Sequence, residues 1–101
     1  MQPVPETPED ALAVYLDERS EDWERDYAAR MIGILEEGRA ALLTTARNAD
    51  EDEMLQQRAA EVLAWAWREA GTLMTEDIAG FTQAAREEIA LHRGQGEGFR
   101  G

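Results

Sequence analysis

Carboxylates are the side chains whose numbers and spacing could do chemistry in this sequence. Residues 17–26 read DERSEDWERD, where Asp17, Glu18, Glu21, Asp22, Glu24 and Asp26 face only Arg19 and Arg25, a local net of -4. A second run, Asp50, Glu51, Asp52 and Glu53, adds four acids and no base. As a helix, 17–26 would stack Glu18, Asp22 and Asp26 in an i, i+4 ladder of like charges, a loss of ~0.2–0.5 kcal/mol per pair. Three uses fit such a segment. The simplest is a solvated face in which Glu21 pairs with Arg25 and Asp26 with Arg30. The second is imitation of nucleic acid: ten helical residues span ~15 Å, so a net of -4 gives one charge per ~4 Å, against ~3.4 Å along one strand. The third is a site for a hard cation, which takes carboxylate oxygens.

Little else supports catalysis. Di-metal helical bundles use Glu-x-x-His pairs, but the single histidine, His92, has Ile89 at i-3; Glu88, at i-4, can hydrogen-bond to it. There is no Cys nucleophile and no Ser-His-Asp set, and the Gly-rich stretch follows a helix without leading into another. The Glu-Glu-x-x-Glu pattern of all-α nucleotide pyrophosphohydrolases fails at both Glu-Glu pairs: Glu36-Glu37 meets Ala40, and Glu87-Glu88 meets Leu91. The expectation is a non-enzymatic protein with no cofactor and no metal.

Charge narrows the partners. The chain has 22 acids and 10 bases, all of them Arg, for a net of -12 and a pI of about 4.3. The arginines are dispersed beside acids and form no basic stripe, which argues against direct contact with DNA, RNA or an anionic membrane. A basic protein surface is the fitting partner. Absence of Cys removes disulfides and thiolate metal sites. The opening MQPVPETPED has neither a cationic n-region nor an apolar h-region, and no apolar run approaches the ~20 residues of a membrane span. The expected location is cytoplasmic.

Helices must position these groups. Asp50–Gly71 is the strongest: Asp50 as N-cap with Glu53 three residues on, Gly71 as left-handed stop, and Leu55, Ala59, Val62, Ala66 and Ala70 at helical spacing beside Leu63 and Trp67. Thr7 and Pro8 start a short helix with Leu12, Tyr15 and Leu16 inward, and Ser20 caps the next after a break. From Glu21 to Arg47, Trp23, Tyr27, Met31, Ile34, Leu35, Leu42 and Thr45 form one stripe, predicting a single helix of ~40 Å. Gly33 and Gly38 inside it imply close helix–helix approach. Asn48-Ala49 turns the chain into a hairpin with the following helix. Thr75 caps the last helix, whose stripe is Ile78, Phe81, Ala85 and Ile89 and which stops at Gly94.

The predicted organisation is therefore a flexible 1–6, a single helical domain over 7–93, and a flexible Gly-rich tail, 94–101, with Phe99 as a lone aromatic. The fold class is all-α: a small helical bundle of three longer helices plus a short N-terminal helix, which a homodimer can complete. Trp65 and Trp67 are two residues apart, ~200° around a helix, so they cannot share one narrow face. The expected function is an acidic protein-binding module, an inhibitor or regulator that occupies the basic surface of a nucleic-acid-handling protein. Phage and mobile-element inhibitors, such as anti-CRISPR and antirestriction proteins, share this size, charge and lack of a catalytic set, an analogy of character without a motif. Its partner-binding residues are Asp17, Glu18, Glu21, Asp22, Asp26, Asp50, Glu51, Asp52, Glu53, Trp65 and Trp67. The alternatives are a structural or assembly protein working through an apolar Trp-containing surface and, third, a carboxylate metal-binding bundle.

Overall fold

Thr7 and Pro8 begin the first helix by separate means. Thr7 Oγ1 accepts from the Asp10 N–H at 3.1 Å, and Pro8, which has no N–H to leave unpaired, sits in the first turn. A computed structural model describes residues 4–94, so Phe99, half of the expected flexible 1–6 and all of 94–101 but Gly94 lie outside the described residues. Five helices follow in order: α1 (Pro8–Leu16), α2 (Asp22–Ile32), α3 (Glu36–Arg47), α4 (Glu53–Ala70) and α5 (Gln83–His92). Among the described residues there is no strand, and no helix is long and apolar enough to cross a membrane.

The largest correction concerns residues 21–47, which form two helices and not one. The chain turns through 33–35, and α3 folds back against the end of α2. Gly38 makes this possible: a Cβ there would lie 1.9 Å from the Ile32 carbonyl oxygen. Gly33, the C-cap of α2, is pressed on α4, where a Cβ would meet Val62 Cγ1 at 2.8 Å. Both glycines serve close approach, but one of the surfaces approached is the preceding turn of the same chain. The inward face also differs. α2 buries Glu24, Ala28, Ala29 and Ile32, whereas Trp23, Tyr27 and Ile34 are 60%, 48% and 77% exposed. Small side chains let α2 lie close to its neighbours; the large ones at helical spacing face outward.

Further corrections are at helix ends. Asp52, not Asp50, caps α4, accepting from the Leu55 N–H at 3.1 Å; Asp50 lies in the preceding turn, where Asn48 Oδ1 accepts its N–H. Glu21, not Ser20, caps α2 through a reciprocal capping box with Glu24, and the Ser20 hydroxyl donates to the Val14 carbonyl at 2.8 Å. The last helix starts seven residues later than Thr75 implied: Thr82 caps it, and the Thr75 hydroxyl donates to the Thr72 carbonyl within the 72–81 connection. Gly71 does stop α4, at φ 77.

The core gathers Ala28, Ile32, Leu42, Ala46, Ala59, Leu63, Phe81 and Ile89, with Trp67 stacked on Phe81 at 6.2 Å between ring centres. Arg47 lies over the same Phe81 ring at 5.8 Å. Tyr15 fastens α1 to α3 through a 2.5 Å hydrogen bond with Thr45 Oγ1, and its burial raises its pKa. Leu16, expected inward, is exposed, because Ala11, Val14 and Tyr15 supply the buried face of α1.

Two alanine substitutions separate space from conformation. Gly38→Ala puts a methyl group into the Ile32 carbonyl and should cost about 3 kcal/mol. Gly71→Ala has open space but a left-handed backbone, and should cost about 1–2 kcal/mol. Urea denaturation measures both; equal losses would contradict the α2–α3 contact.

Candidate partner-binding surface

Three contacts fix α2 beside α4 with the same direction. Arg25 Nη1 and Nη2 donate to Glu51 Oε2 and Oε1, each at 3.0 Å; Arg58 Nε donates to Asp26 Oδ1 at 2.9 Å; and Gly33 packs on Val62. Residue numbers rise together on both helices, so the two N-terminal ends are neighbours. The acidic stretches 17–26 and 50–53 therefore lie at one end of the molecule, bridged by Arg25. Together they hold ten acids and two arginines, a net of -8 of the chain's -12. Positive N-terminal helix dipoles favour acids at such positions.

The expected ladder is absent, because Glu18 lies in the α1–α2 connection and only Asp22 and Asp26 are on α2. Arg25 turns away from Glu21 to Asp22, at 2.9 Å, and to Glu51. Asp26 takes Arg30 at 3.7 Å as well as Arg58, and Arg58 also donates to Glu61. Asp17 accepts from the Arg19 backbone N–H and guanidinium. These partnered acids, with Asp52 and Glu21 in caps, stiffen the surface. Glu18, Asp50 and Glu53 are exposed and make no ion pair within 4.0 Å among the described residues.

Arg25 is held further toward its charged form chiefly by its hydrogen bond to Glu51, against an opposing effect of burial. The Glu51 carboxyl is correspondingly lowered, first by Arg25, with burial opposing and the Asp52 N–H assisting.

The two tryptophans separate. Trp67 is 7% exposed and belongs to the core, while Trp65 is 40% exposed. Trp65 lines a groove with Gly33, Ile34, Val62 and Ala66, rimmed by Arg30, Arg39 and Glu69. At the acidic end Trp23 and Met54, both exposed, share a recess with Glu18, Asp22 and Asp26. Trp23, Ile34 and Met54 as surface groups escaped the sequence reading, which takes spaced large apolar residues as core.

The α4–α5 contact gathers another polar set. Glu61, Glu88 and His92 each offer one ligand atom, all within 4.8 Å of one another. Their hydrogen bonds argue for a structural cluster. His92 Nδ1 faces Arg68 Nη2 at 3.2 Å, and a guanidinium only donates, so Nδ1 is the acceptor and Nε2 carries the proton given to Glu88 Oε2 at 2.9 Å. A metal at Nε2 would move that proton to Nδ1, against Arg68, where metal-binding histidines usually have an acceptor. Gln57 donates to the other Glu88 oxygen at 3.1 Å. Glu61 was not legible as a member, since it joins only through the α4–α5 register.

The Arg25–Glu51 pair gives a pH prediction. A carboxyl whose folded pKa lies below its ordinary 4.5 contributes stability above that value and loses it as pH falls through the folded pKa. Glu51→Gln should therefore lower stability at pH 7 by about 1 kcal/mol, with the difference shrinking below about pH 4. Urea titrations at neutral and acid pH check it; a constant difference would contradict the assignment. No family model, curated protein or solved structure matches this chain.

Proposed function

We propose that this protein is a non-enzymatic binding module that occupies a basic, nucleic-acid-binding surface of a partner protein, as an inhibitor or regulator. The observation supporting this is the Arg25–Glu51 bridge, which draws both acidic stretches to one end. Neighbouring Trp23 and Met54 add an apolar component that a protein partner can cover and a counter-ion cannot. The fitting partner presents clustered Lys or Arg with an apolar recess between them, and covering those cations blocks their phosphate contacts. Phage and mobile-element inhibitors of nucleic-acid enzymes work in this general manner.

A second reading, supported by the groove around Trp65 and Ile34, is assembly through apolar contact, with Trp65 as anchor.

Reversal of exposed charge tests the first reading. Glu18→Lys, Asp50→Lys and Glu53→Lys together spare Asp26, whose arginine partners tie α2 to α4. Affinity capture from the source cell at low and high salt should yield a basic nucleic-acid-handling partner that high salt releases. The triple variant should bind that partner at least about tenfold more weakly, a difference of ~1.4 kcal/mol. Unchanged binding would overturn the reading.

A further inference from the structure

Among the described residues, the outward face of α2 and α4 carries large apolar side chains that are 40–77% exposed. Trp23, Tyr27 and Ile34 lie along the α2 side and Met54 and Trp65 along the α4 side, five of the eight exposed large hydrophobics among the described residues. Ion pairs run through the middle of the face, from Arg30 to Asp26, Arg58 and Glu61. The face is graded: Glu18, Asp22 and Glu53 crowd the end holding Trp23 and Met54, and two arginines, Arg30 and Arg39, against one acid, Glu69, flank Ile34 and Trp65 at the other. Exposed apolar groups at both ends of one face, with ion pairs between them, suit an association site of mixed character.

We infer that this face pairs with the same face of a second copy, about a two-fold axis that crosses the helices at right angles. This deepens the assembly reading above and rests on it for the importance of Trp65. A closed homodimer uses one self-complementary patch, so the axis must lie in the plane of the face. An axis parallel to the helices would set the acidic end against its own copy. An axis across them reverses the second copy, lays α2 on α2 and α4 on α4 in antiparallel fashion, and brings Glu18 and Asp22 toward Arg39 of the second copy.

The apolar positions support the same choice. Trp23 on α2 and Ile34 in the turn just after it are eleven residues apart, and so are Met54 and Trp65 on α4. Reversal therefore puts Trp23 on Ile34 of the second copy and Met54 on Trp65 of the second copy in one register. Met thioethers pack favourably on aromatic rings. Tyr27 falls near the axis, beside its own counterpart, and Arg58 falls opposite Glu61. The face is bounded by α4, ~27 Å long, and by a helix separation of ~9–10 Å, which places the interface at the low end of specific ones.

Each copy carries -12, so repulsion opposes pairing wherever salt does not screen it. The Debye length is ~30 Å at about 10 mM salt and ~8 Å at about 150 mM, so the association constant should rise at least tenfold between the two. Binding to a basic partner has the opposite salt dependence, and the two behaviours cannot be confused.

Sedimentation of the purified chain through the micromolar range measures this. Trp65→Ala and Met54→Ala should each weaken the dimer tenfold or more with unchanged helical circular dichroism. Because the chain has no Cys, Tyr27→Cys should cross-link to itself on oxidation. Met54→Cys should not, its counterpart being ~16 Å away along the helix. A monomer at every concentration and salt overturns the inference, and so does cross-linking by Met54→Cys in place of Tyr27→Cys. A monomer that nonetheless loses a different protein partner on Trp65→Ala would overturn the inference while leaving the assembly reading standing.

Discussion

Arg25 reaches across from α2 to hold both oxygens of Glu51, and the surface of this molecule depends on that crossing. The guanidinium and the carboxylate are each about one-fifth exposed, so the pair is partly shielded and its two-point geometry fixes direction as well as proximity. With Asp26–Arg58 and Gly33–Val62 further along, α2 cannot slide or reverse against α4. Two helix starts are consequently neighbours, and so are two acidic sequences that 23 intervening residues, 27–49, separate in the chain.

Such crowding of like charge would weaken an isolated pair of helices. Three features offset it. Arg25 and Arg58 sit between the acids and neutralise the less exposed ones, Glu51, Asp26 and Glu61. Caps at Glu21 and Asp52 turn carboxylates toward unpaired backbone N–H groups. Glu18, Asp50 and Glu53 are exposed to water, where repulsion is screened. The α2–α4 contact thus draws on the shielded acids, which is why the exposed ones can be reversed without dismantling it.

Helix type and several ends were legible in the sequence: Thr7-Pro8, the break before α2, Gly71, and the burial of Leu55, Ala59, Val62, Leu63 and Trp67. The reversal at 33–35 was not, because its cause is a contact between Gly38 and the Ile32 carbonyl that spacing does not encode. Periodicity also misassigned α2. It identifies a face rich in large apolar residues, and in α2 that face is outward, since close packing on α1 and α4 selects Ala28 and Ala29. The opposite fates of Trp65 and Trp67 follow from their angular separation, but which one enters the core depends on Phe81, fourteen residues away. For the acids, local charge could be counted; their convergence needed the fold.

The convergence of the two N-terminal ends is open to a direct distance measurement. Spin labels on Asp22→Cys and Glu53→Cys, in dilute protein mixed with excess unlabelled chain, report the separation by pulsed dipolar spectroscopy. Side-by-side helices bridged by Arg25 and Glu51 predict a separation under ~20 Å, whereas one continuous helix over residues 21–47, ~40 Å long, would hold the labels more than ~30 Å apart. The short distance is the predicted result, and the long one would contradict the shared acidic surface.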